Sequence, residues 1–185
     1  LYHTPDDEVK RFFAVFRFFR TFRIFGGKTA DTAKRKEYNF MEVKKSEEIL
    51  SEIYRNCHLA LESISDILPA VEDEELKAEI LREHEEYERI SGKAACLARD
   101  KGLEVKEPGP VKKAMMWGSI KMSTMMDNSR PHIAEMMIQG TVMGITSLKT
   151  SLGDLPEDDD EEITALLKEL IELEEVFEKR LKEFL

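Results

Sequence analysis

The chain has 185 residues, 36% charged and 42% hydrophobic, with a formal net charge of −10. That composition suits one soluble folded domain and excludes a disordered polymer. No apolar run reaches the roughly 18 residues of a membrane span, and the acidic balance is the wrong sign for phosphate contacts, so neither a membrane nor a nucleic-acid partner is expected.

Residues 1–40 differ from the rest. They carry nine Lys/Arg against five Asp/Glu, and eight of the ten Phe. Phe12-Phe-Ala-Val-Phe-Arg-Phe-Phe-Arg-Thr-Phe-Arg-Ile-Phe25 gathers most of its Phe on one half of a helical wheel. Phe13, Ile24 and Arg11 break that segregation. Met41 opens a stretch, Met-Glu-Val-Lys-Lys-Ser-Glu-Glu, that reads like a cytoplasmic N-terminus. Arg35-Lys-Glu37 just upstream can be encoded by a purine-rich ribosome-binding sequence. We read 1–40 as translated leader, with a disordered segment or a membrane or partner anchor as the alternative. The body, 41–185, carries 19 Lys/Arg against 33 Asp/Glu, a net −14.

From residue 43 the chain alternates helical patterns with clear stops. A first helix is expected over about 43–68, with an inward stripe Leu50, Ile53, Cys57, Ala60, Ile64 and Ile67. Pro69 ends it. A second is expected over about 73–101, capped by Asp73 and closed by Gly102. Its stripe runs Leu76, Ile80, Glu83, Tyr87, Ile90, Ala94 and Leu97, which places one carboxylate in an inward slot. Glu83 with Tyr87 suits metal binding or proton transfer. A slight rotation of the helix would instead leave Glu83 at the solvent boundary, the commoner place for a carboxylate.

A polar linker over 103–110 precedes a third helix in two pieces, about 110–127 and 130–152, broken or kinked near 127–131. Ser129 is the expected cap and Pro131 fits a first turn. At about 100° per residue, His132, Glu135, Gln139 and Thr146 fall within roughly 60° of one another. Nearly everything else over 131–148 is apolar or small, more than one buried face requires. His132, Glu135 and Gln139 could ligate a metal inside the fold, or form the helix's narrow solvent face. Eight of nine Met lie between Met115 and Met143. Such residues fill irregular cores and adaptable contact surfaces more often than they bind copper. Met136, Met137, Gly140, Met143 and Gly144 are therefore read as packing or interface positions. A fourth helix over about 159–184 has the stripe Ile163, Leu166, Leu170, Leu173, Phe177, Leu181 and Phe184, with no inward ligand. Acidic residues at its start and basic residues at its end suit the helix dipole.

This pattern is all-α and suggests a four-helix bundle. Ala134-Glu-Met-Met-Ile-Gln-Gly-Thr-Val-Met-Gly-Ile-Thr146, preceded by Asp127-Asn-Ser, together with Tyr54-x-Asn56, resembles a group of small bacterial all-helical proteins. Their layout is similar to that of the ferritin-like bundles. The resemblance covers 41–185 and implies the fold without an activity. Ferritin-like di-iron sites use Glu-x-x-His pairs. This chain has none, so iron oxidation does not carry over.

The expected function is a non-enzymatic, cytoplasmic, self-associating bundle, most simply a dimer, with no cofactor. The alternative is a divergent metal-binding oxidoreductase or storage protein holding iron or manganese, with Glu83, His132 and Glu135 as candidate ligands and Tyr87 and Gln139 as polar core partners. Cys57 and Cys96 form no paired motif, which fits a reducing compartment.

Overall fold

The computed structural model describes residues 31–105, 127–155 and 160–185, with side chains of the first stretch from Lys45 onward. The chain divides into two units, Leu1–Glu37 and Tyr38–Leu185. In the first, only the backbone of 31–37 is described, and it is helical. All side chains described below belong to the second.

Four α-helices are present among the described residues, and no strand: α1 Asp31–Ile67, α2 Glu74–Lys101, α3 Arg130–Gly153 and α4 Glu161–Leu181. Short 3-10 turns, Leu68–Ala70 and Lys182–Phe184, follow α1 and α4. Pro69 sits at the start of the first turn, where its missing N–H costs nothing. The Asp73 side chain accepts from Leu76 N at 2.8 Å and caps α2. Gly102 closes α2 at φ 67°, a left-handed conformation that a Cβ would oppose. The Leu103 N–H returns to Ala98 O at 2.8 Å, completing the stop.

At α3 the capping differs from the sequence expectation. Ser129 holds the cap position but its side chain makes no capping bond. Asp127 Oδ1 instead accepts from Ser129 N at 2.8 Å, which fixes the turn entering the helix. The expected helical piece over 110–127, and with it the break in the third helix, falls almost wholly outside the described residues. Asp160 Oδ1 accepts from Glu162 N and Ile163 N at 3.1 and 3.3 Å and caps α4.

One apolar core is shared by all four helices. Leu50, Ile53 and Ile64 enter from α1, Ile80 and Ile90 from α2, Ile133 and Leu148 from α3, and Leu167, Leu170 and Phe177 from α4. Polar links tie the helices at the rim. Arg89 and Lys93 of α2 reach Glu169 of α4 at 2.6 and 2.9 Å. Ser147 Oγ of α3 donates to Glu52 Oε1 of α1 at 2.7 Å. No described helix is long and apolar enough to cross a membrane.

The third helix buries little of its apolar surface. It is the most apolar of the four, yet its buried residues are Ile133, Ala134, Thr141 and Leu148. It is therefore not enclosed on most sides. Met136, Met137 and Ile138 pack against the core only in part, and Met143 and Ile145 are half-buried.

Candidate functional site

The spacing of α2 carries Glu83 inward one turn before Tyr87, and the structure keeps it there. Glu83 is 1% exposed, so the alternative of a boundary carboxylate is overturned: the rotation it needed has not occurred. Burial pushes its carboxyl up to about 8, the negative charge of Glu79 adds to the rise, and Arg180 opposes it. Glu79 is also buried, but it is paired, to Arg82 at 2.5 Å and to Arg180 of α4 at 3.0 Å. Glu83 Oε1 has no partner.

Tyr87 is 2% exposed and donates its hydroxyl to Glu174 Oε1 at 3.4 Å, across from α2 to α4. The sequence reading of α4 as free of inward ligands is thus corrected. Glu174 is 2% exposed, in the heart of the fold. Burial pushes its carboxyl up to about 8; the Tyr87 bond pulls it down and the Glu83 charge pushes it up. Its Oε2 has no partner either.

Two further elements close the site. Cys57 of α1 is fully buried, and its thiol is pushed far up by burial and then by Glu174. It is a neutral thiol, which lacks the nucleophilicity of a thiolate. Gly144 of α3 lies against the Glu174 carboxyl, and a Cβ added there would overlap that group. The phenol of Tyr87 is held well above its ordinary value by burial, then by Glu174 and Glu83. Burial thus favours the neutral form of Glu83, Glu174, Cys57 and Tyr87 alike. This is a proton-holding polar centre rather than a nest of anions.

The other predicted residues lie elsewhere. Glu135 is exposed, and His132 and Gln139 are half-buried. None of them is among the groups acting on Glu83 or Glu174. Among the described residues no three His, Cys, Asp or Glu side chains gather as a metal site, so Glu83, His132 and Glu135 do not form one ligand set. Gly140 is exposed with open space around it, whereas Gly144 is used inside the chain.

Glu174 had a signal in the sequence. It lies four residues after Leu170 and three before Phe177, the same spacing that marks the core stripe. Leu173 competes for that slot and is the better apolar choice, which hid the carboxylate.

Among the described residues, fold and site together define four helices around a core that holds a buried carboxyl pair. No family model, curated protein or solved structure matches the chain.

Proposed function

We propose that the protein is a self-associating, non-enzymatic helical bundle that pairs with a second copy through α3. One observation carries the reading: the most apolar helix buries the fewest residues. Four of its 24 residues are buried, against eight of 21 in α4. Val142 is 42% exposed in the middle of α3. Apolar surface left in this way marks a partner surface.

Charge selects the partner. The body of the chain is strongly acidic, and two copies repel over most of their surfaces. Glu135 is the one Asp, Glu, Lys or Arg between 131 and 148. The α3 face is a nearly uncharged strip on an acidic protein, and a twofold pair can place that strip against itself. The helix lengths and order support a ferritin-like arrangement. The unpaired thiols of Cys57 and Cys96 support a reducing, cytoplasmic setting.

Light scattering on the full chain at micromolar concentration tests the proposal. A mass of two chains is the expected result, and a strict monomer overturns it.

A further inference from the structure

A carboxyl group removed from water costs far less when it is neutral than when it carries an unbalanced charge. Glu174 has no balancing charge once ionised. Tyr87 serves Oε1, and Oε2 has no partner. The titratable groups acting on it are Tyr87 and Glu83 from α2, and it acts in turn on Cys57 from α1. None is a cation. The nearby arginines, Arg82 and Arg180, engage Glu79 and act on Glu83 instead. From α3 the contact is Gly144, whose missing Cβ makes the notch that the carboxyl fills.

The carboxyl therefore sits between two helices, in a space shaped for an uncharged group. An ionised carboxylate there gains solvation only when a neighbouring helix gives way, and α3, with four of its 24 residues buried, is the least enclosed of them. We infer that Glu174 is a proton-operated latch for α3. With its proton on, the carboxyl fills the Gly144 notch and α3 lies against α4. With its proton off, α3 lifts and water reaches the carboxylate. The latch stands whether or not α3 also pairs two copies.

Hydrogen exchange on the full chain, followed by mass spectrometry and normalised for the intrinsic pH dependence of exchange, provides the test. Protection of 130–153 is compared with that of α2. In the wild type, α3 protection is expected to fall about tenfold per pH unit between the ordinary carboxyl value of 4.5 and the folded value of about 8, and to stay below that of α2 throughout. Glu174→Gln, neutral and of the same shape, is expected to hold α3 protection constant. Tyr87→Phe removes a bond that favours the charged form, and its transition is expected at higher pH. Identical pH profiles for wild type and Glu174→Gln overturn the inference, as does equal protection of α2 and α3 across the pH range. Should Glu174→Gln not fold, Tyr87→Phe decides alone: an unmoved transition overturns the latch.

Discussion

The Glu174 carboxyl and a side chain at position 144 compete for one volume. Glycine at 144 resolves the competition, because a Cβ there would overlap the carboxyl. Gly144→Ala is expected to destabilise the fold by about 1–3 kcal/mol, the usual cost of overpacking. Gly140→Ala, one turn away in open space, is expected to be neutral or stabilising by up to about 1 kcal/mol through helix propensity. Urea unfolding of the two variants measures the contrast. Equal effects at both positions would remove the notch from the account.

The carboxyl pair sets a pH dependence of stability. In the folded protein Glu83 and Glu174 keep their protons up to about 8, whereas the ordinary value is 4.5. Between those values the folded state binds more protons than the unfolded chain. Rising pH therefore favours unfolding, by about 1.4 kcal/mol per pH unit for each carboxyl. Below the ordinary value the penalty vanishes, and above the folded value it stops growing. Urea titrations across this window should show a slope that flattens in Glu83→Gln and in Glu174→Gln. A double variant as steep as the wild type would refute the assignment.

Arg180 is expected to tune one carboxyl and spare the other. It lowers Glu83 and is absent from the groups acting on Glu174. Arg180→Met should move the Glu83 titration to higher pH and leave that of Glu174 in place. Glu79 keeps its partner Arg82, so the fold should survive. Carboxyl-carbon NMR titration reads both sites, and parallel movement would contradict the assignment.

The pairing reading makes its own demand on Val142. Val142→Asp places a charge in the uncharged strip without disturbing a buried residue. It is expected to weaken association at least about tenfold, the effect of about 1.4 kcal/mol. Unfolding curves should stay within about 0.5 kcal/mol of wild type, as for a surface change. Sedimentation velocity across a concentration series gives the comparison.

The helices were legible because local chemistry decides them. Pro69, Asp73 and Gly102 act through their own backbones, and all three do what their types require. The inward place of Glu83 was legible for the same reason: α2 has one continuous stripe. Glu174 was not, since its slot could be filled by Leu173 or by itself, and only packing chooses. In the structure Leu173 is half-buried and Glu174 wins the core. The partial burial of α3 was equally beyond reach. A wheel shows how much of a helix is apolar, but not how much of that surface its neighbours cover.

Arg130 gives the proposed movement of α3 a direction. It bonds Asp73 at 3.2 Å and Glu75 at 3.5 Å at the start of α2, and its guanidinium lies 4.7 Å from the centre of the Phe184 ring. The first turn of α3 is thereby riveted to both neighbours. Beyond Gly144 the helix is held by Ser147 to Glu52, Lys149 to Glu175, and Lys45 to the Asp154 carbonyl, polar links at the rim. Under the latch those links break first, and a helix then fixed at one end and pushed in its middle behaves as a lever. At about 1.5 Å per residue, Gly144 stands roughly 21 Å from the Arg130 pivot and Gly153 roughly 35 Å. Each ångström of displacement at the carboxyl becomes about 1.6 Å at the far tip, where the chain leaves α3 for α4.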